Sequence, residues 1–145
     1  MRSFPKRLKF KKYHKTKLKN ITKFTLKKTK IVGKIGLQSL AQIKLRPEQI
    51  EAGRVAIKRM MKERKDWIIW VKLFTYCPVT KKSQGLRMGK GKGSTKRWIC
   101  PINVGQIVYE LNDPTTITYR FFYFKTFCKV WKKLPFETSI RFKFH

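Results

Sequence analysis

The sequence predicts an α+β fold: two helices packed on one face of a mainly antiparallel sheet, a two-layer sandwich with a basic N-terminal extension and a long basic loop. Three observations carry this reading. Apolar residues recur at helical spacing after Pro47 and again after Pro114. A strict apolar–polar alternation closes the chain from Phe136 to His145. Runs rich in β-branched and aromatic residues lie between the two helices.

The first helix is expected over residues 47–65. Proline suits the first helical position, and Glu48 and Glu51 lie near the positive end of the helix dipole. Ile50, Ile57, Met60 and Met61 are its expected core face. Arg54, Lys58 and Lys62 form a stripe on another face. Such a stripe is a solvated surface or, in a chain this cationic, one that faces RNA, which makes Arg54 and Lys58 candidate contacts. Gly53 costs the helix up to about 1 kcal/mol relative to alanine.

Asp66 ends the helical region, and Trp67 to Phe74 reads as a strand. Trp98 to Ile102 and Gln106 to Leu111 read as further strands around an Asn103-Val104-Gly105 turn. Residues 75–97 carry weak patterning, and a loop of that length in a small domain is usually functional or disordered. After the Asn112-Asp113-Pro114 turn, Ile117, Phe121, Phe124, Cys128 and Trp131 follow at helical spacing. Local composition favours strand, but the period persists over four turns, so a helix with this stripe in the core is expected. Pro135 stops it, and Phe136, Thr138, Ile140, Phe142 and Phe144 alternate with polar residues as a half-buried strand.

Charge divides the chain. Of 145 residues, 37 are Lys or Arg and 7 are Asp or Glu, a formal charge of +30 that calls for a polyanion. Residues 1–47 hold thirteen lysines, three arginines and no acid, the first carboxylate being Glu48. The expected organisation is a basic N-terminal arm over residues 1–45 and one α+β domain over 46–145, with its functional loop at 75–97. In the arm, Phe4, Leu8, Phe10, Tyr13 and Phe24 lie among the cations without a period, so an isolated arm should stay unfolded. It is either a solubilising tail or a nucleic-acid contact, and interleaved rings and cations favour the second: rings stack on unpaired bases while cations hold phosphates. With 41% hydrophobic and 14% aromatic residues, the rest of the chain must form a core.

Several classes fall away. The longest apolar run, Trp67 to Val71, is far short of the roughly 18 residues of a membrane span. The N-terminus lacks the apolar segment of a secretory signal. Cys77, Cys100 and Cys128 match neither zinc-ribbon spacing nor a disulfide framework, and His14 and His145 assemble no metal cluster. Among seven carboxylates no acid–base pair stands out, and no nucleophile sits in an elbow motif. No enzyme, cofactor, metal or small-molecule substrate is expected.

The segment Leu86-Arg87-Met88-Gly89-Lys90-Gly91-Lys92-Gly93 invites a nucleotide-binding reading, which its spacing rejects. Gly85 plus five lands on Lys90, and Gly93 is followed by Ser94 where a phosphate-binding loop needs lysine. The dinucleotide fingerprint fails because Ser94 stands where its third glycine belongs. What remains is a flexible cationic loop suited to close approach to a phosphate backbone.

Motifs along nearly the whole chain resemble one family, that of large-subunit ribosomal protein L-sixteen. They are Pro5-Lys6-Arg7-x-Lys9-Phe10-Lys11-Lys12-x-His14-Lys15 in the arm and Gln49-Ile50-Glu51-Ala52-x-Arg54-x-Ala56 in the first helix. Arg87-Met88-Gly89-Lys90-Gly91-Lys92-Gly93 follows, then Trp98, Gly105, Tyr109-Glu110 and Leu134-Pro135. The resemblance implies a non-enzymatic protein of the large subunit near the peptidyl-transferase region. Such proteins brace ribosomal RNA, contact neighbouring ribosomal proteins and help position A-site tRNA. It implies RNA contacts for Lys6, Arg7, Lys9, Lys11, Lys12, His14, Lys15, Arg87, Lys90 and Lys92. Met88 belongs to the same contact, and Gly89, Gly91 and Gly93 permit the approach. Arg46 stands where such proteins commonly place a helix-capping hydroxyl. The second helix is unusually aromatic, which assigns Phe122, Tyr123 and Phe127 to a protein neighbour.

The family pattern starts by residue 5, which leaves no room for a cleavable presequence, and Lys, Phe and Ile are the residues AT-rich codons supply. Together they point to an organelle-encoded protein of the mitochondrion, with plastid or bacterial cytoplasm as alternatives. The rival functions are a basic nucleic-acid-binding regulator or compaction protein and a membrane-surface binder. A regulator would need a recognition helix or dimer seam, and neither is visible.

Overall fold

The computed structural model describes residues 4–10, 12–14, 30–62, 67–112 and 120–143. The elements run β1 (Ile35–Ser39), β2 (Ile43–Leu45), α1 (Pro47–Met60), β3 (Ile68–Val71), β4 (Cys77–Lys81), β5 (Ser94–Ile102), β6 (Ile107–Asn112), α2 (Arg120–Trp131) and β7 (Thr138–Phe142). The α+β class stands, with the strands in two antiparallel sheets ordered β3-β6-β1-β7 and β2-β5-β4. The turn at Asn103–Gly105 sends consecutive β5 and β6 into different sheets, and Gly105 takes φ 84° there while its N–H donates to the Ser39 carbonyl at 2.8 Å.

Residues 35–45, which their lack of acids placed in the basic arm, form β1 and β2. Every residue of β1 is buried, so it lacks the alternation that marks a half-exposed strand. Gln38 is tolerated inside because both ends of its amide are used: Nε2 donates to the Gly105 carbonyl at 2.7 Å and Oε1 accepts from Arg141 Nε at 2.7 Å. The expected strand Trp67 to Phe74 is trimmed to β3, and β4 and the early part of β5 occupy what was expected as loop.

Helix α1 buries Ile50, Ile57 and Met61, with Met60 half-buried beside them. Its cap is half made: Gln49 Oε1 accepts from the Arg46 N–H at 2.9 Å, while the arginine side chain has no acceptor to return. Gly53 has a packing reason that outweighs its poor helix propensity. A Cβ there would lie 2.3 Å from Tyr109 Oη, whose hydroxyl donates to the Ile50 carbonyl at 2.7 Å. Gly53→Ala should therefore destabilise the fold by about 1–3 kcal/mol in urea unfolding, despite a better helix residue. Tyr109→Phe in the same chain should recover part of that loss.

The second helix buries a different face from the one its period suggested. Tyr123, Thr126, Phe127 and Val130 are buried, while Phe121 is 79%, Phe124 55% and Trp131 50% exposed. Residues 123, 127, 130 and 134 repeat as regularly as 121, 124, 128 and 131, so spacing alone could not choose between them. Thr126 enters the core because its hydroxyl donates to the Phe122 carbonyl at 2.9 Å. Tyr123 and Phe127, assigned above to a protein neighbour, are core residues, and Phe122 packs partly buried against them. Ile117, Phe144 and His145 lie outside the described residues.

Candidate nucleic-acid interface

Antiparallel pairing of β4 with β5 ends at Lys81 opposite Ser94, and residues 82–93 project from this neck as the loop. All of them are exposed except Gly93, which is half-buried. A Cβ on Gly93 would meet Lys81 and Lys82 backbone atoms at 2.7 Å, so glycine closes the neck. Gly89 and Gly91 do something else: with Lys90 between them they take φ 103°, 52° and 75°, a left-handed curl that strongly favours glycine. Nothing lies within 4 Å of a Cβ placed on either, so room within the protein is not the constraint. Lys82 Nζ holds the curl by donating to the Gly89 carbonyl at 2.6 Å. Gly93→Ala should thus cost about 1–3 kcal/mol of stability. Gly89→Ala with Gly91→Ala should strain the left-handed curl by up to about 1–2 kcal/mol per site and weaken RNA binding beyond what the unfolded fraction explains, which thermal unfolding beside a filter-binding assay would separate.

The described start of the arm, residues 4–10 and 12–14, meets this hairpin. Phe4 stacks on Trp98 with ring centroids 6.4 Å apart and planes 17° from parallel. Further on, Lys12 Nζ donates to the Lys92 carbonyl at 2.5 Å, and Lys92 Nζ donates back to the Tyr13 carbonyl. Two strongly cationic segments are thereby clasped together through backbone acceptors, without a carboxylate between them; the sequence has none from residue 67 to 109 or before Glu48. Beneath the clasp lies an open cleft of about 480 Å³ whose charged and aromatic lining is Tyr13, His14, Lys44, Arg46, Lys92 and Arg97. Cys77, Pro78, Val79 and Ile99 give it an apolar wall. Such a surface can take phosphates on its cations and an unpaired base against its wall.

The predicted contacts sort accordingly. Lys6, Arg7, Lys9, Lys12 and His14 lie on the described part of the arm, Lys12 and His14 beside the loop; Lys11 and Lys15 lie outside the described residues. Arg87, Met88, Gly89, Lys90, Gly91 and Lys92 are exposed on the loop. Lys58 is exposed on α1, but Arg54 is engaged: its Nε lies 3.0 and 3.1 Å from the two Glu51 carboxylate oxygens. That hydrogen bond holds the Glu51 carboxyl below its ordinary range and raises the guanidinium in turn. The pair's contribution is complete at neutral pH and fades as pH falls through the lowered Glu51 value. Lys44, Arg46 and Arg97 line the same cleft but were not among the expected contacts, because nothing in sequence shows that β2 and β5 are neighbours of the arm.

The matching family model, ribosomal protein L16p/L10e, covers residues 4–141. The chain belongs to the ribosomal protein L16p/L10e family. It is 38% identical over 136 residues, 94% of its length and 93% of the relative's, to large ribosomal subunit protein uL16 of Psychrobacter arcticus. The uL16 of Maricaulis maris is 42% identical over 110 residues, 74% of this chain and 76% of that one. As a member of the L16p/L10e family the chain is a structural, non-enzymatic constituent of the large ribosomal subunit. One of its family motifs, Tyr109-Glu110, acquires a physical reason here: Tyr109 locks α1 to β6, and Glu110 pins the entry to β1.

Proposed function

We propose that this protein binds large-subunit ribosomal RNA through the clasped arm and loop, close to the peptidyl-transferase centre, and there helps organise the A-site for tRNA. The observation that carries the reading is the clasp itself: Lys12 and Lys92 join two cationic, acid-free segments into one surface around an open cleft. A surface of that charge, in a ribosomal protein, is matched by the phosphates of rRNA. Arg87, Lys90 and Lys92 carry the loop's contacts, with neighbouring ribosomal proteins and A-site tRNA as further partners. The abundance of Lys, Phe and Ile supports a mitochondrial ribosome.

Sedimentation of mitochondrial lysate at physiological and at high salt tests this. The protein should travel with the large subunit and stay with it until salt strips RNA contacts. Its appearance in slow fractions bound to DNA or to messenger RNA would instead establish a regulator or compaction protein.

A further inference from the structure

The exposed face of α2 is unaccounted for by the arm and loop. With its core requirement met by Tyr123, Phe127 and Val130, the helix still presents Phe121, Phe124 and Trp131 to solvent at 79%, 55% and 50% exposure. Cys128, half-buried, completes the stripe between them. Exposed rings in a row are uncommon on a soluble surface and mark a contact. At 3.6 residues per turn, Lys125, Lys129 and Lys132 fall along the flank of this ridge, all three exposed. No acidic residue occurs in Arg120–Trp131.

We propose that α2 carries a second RNA contact, separate from the arm and loop, in which Phe121, Phe124 and Trp131 stack on unpaired bases and Lys125, Lys129 and Lys132 hold the intervening phosphates. Charge complementarity selects the occupant. A row of lysines without a single carboxylate repels a basic neighbour and suits a polyanion. Between polyanions, the side chains decide. A membrane-lying helix inserts a broad apolar face, and here that broad face is already buried in the core. What protrudes is a narrow file of aromatic rings, the geometry of a stacking platform on which any base presents a π-face. The inference rests on the RNA-binding reading above and adds a separate site, in which a file of exposed rings rather than a cleft receives the bases.

The test uses the full chain with two fluorescent RNAs of equal charge, one single-stranded and one a fully paired hairpin. Phe124→Ala with Trp131→Ala should weaken the single strand by about tenfold or more, since each stacked base contributes about 1–3 kcal/mol, and should change the hairpin by less than about twofold. Phe124→Leu with Trp131→Leu should lose the same single-strand affinity while staying apolar; both pairs are exposed, and circular dichroism should report an intact fold. Lys125→Gln with Lys129→Gln should flatten the single-strand salt dependence by about 0.7 per contact. If Lys90→Ala with Lys92→Ala weakens both RNAs while the ring variants weaken neither, the α2 site is refuted and the loop contact stands. Retained binding in the leucine variant would also overturn it, because an apolar protein or lipid contact survives that change and base stacking does not. If the wild-type chain binds neither RNA, the RNA-binding reading fails first and this site with it.

Discussion

Glu110→Ala should lower the unfolding free energy by about 1–3 kcal/mol, a sizeable share of a stability of about 5–15 kcal/mol. Glu110 is 1% exposed on β6, the strand between β1 and β3, and its Oε2 accepts from the Val32 and Gly33 N–H groups at 3.1 Å each. Lys72 Nζ lies 3.4 Å from the same oxygen. Burying a carboxylate is costly, and these three donors are what compensate it. Alanine leaves the buried Gly33 N–H without its acceptor, at about 1–3 kcal/mol for one such group. Lys72 loses less, because its side chain is 36% exposed and water can replace the partner. Glu110→Gln keeps an acceptor oxygen and should cost clearly less. The measurement is urea unfolding of both variants. The functional corollary is that the segment leading from the arm into β1 loses its anchor, so RNA affinity should fall in the alanine variant beyond what its unfolded fraction explains.

The elements legible in the sequence were those whose pattern matches one-sided burial. Helix α1, with proline at its start and Ile50, Ile57 and Met61 on one face, is the clearest case, and alternating β7 is another. Strand β1 was illegible because burial on both faces erases alternation. On α2 two apolar stripes compete, and charge is the signal that decides between them: Lys125, Lys129 and Lys132 flank the 121–124–128–131 stripe, so the opposite one is buried. Gly53 read as a helix defect because its reason, the hydroxyl of Tyr109, lies 56 residues away in sequence yet within bonding distance of the helix backbone. At the interface, the loop glycines and cations could be named from sequence. That the arm folds back onto the loop could not, since it depends on two lysines finding backbone carbonyls about 80 residues away.

Lys90→Ala and Lys92→Ala should separate two roles of the loop. Each phosphate contact removed should make the slope of log K against log salt shallower by about 0.7–0.9, so the double variant loses up to roughly twice that. Lys90 is exposed on the curl and should show the salt effect alone. Lys92 also holds the Tyr13 carbonyl, so its replacement should in addition speed trypsin cleavage within residues 4–14. An unchanged slope in the double variant would make both lysines solvated groups.

The most direct test of the clasped arm and loop as an rRNA-binding surface is protein–RNA crosslinking in intact large subunits, read residue by residue. Crosslinks from Arg87, Lys90 and Lys92 and from Lys12 and His14 should fall on one compact neighbourhood of large-subunit rRNA, because Lys12 and Lys92 hold the two segments side by side. Crosslinks from the loop and the arm to rRNA regions far apart, or a loop that crosslinks only to protein, would contradict it.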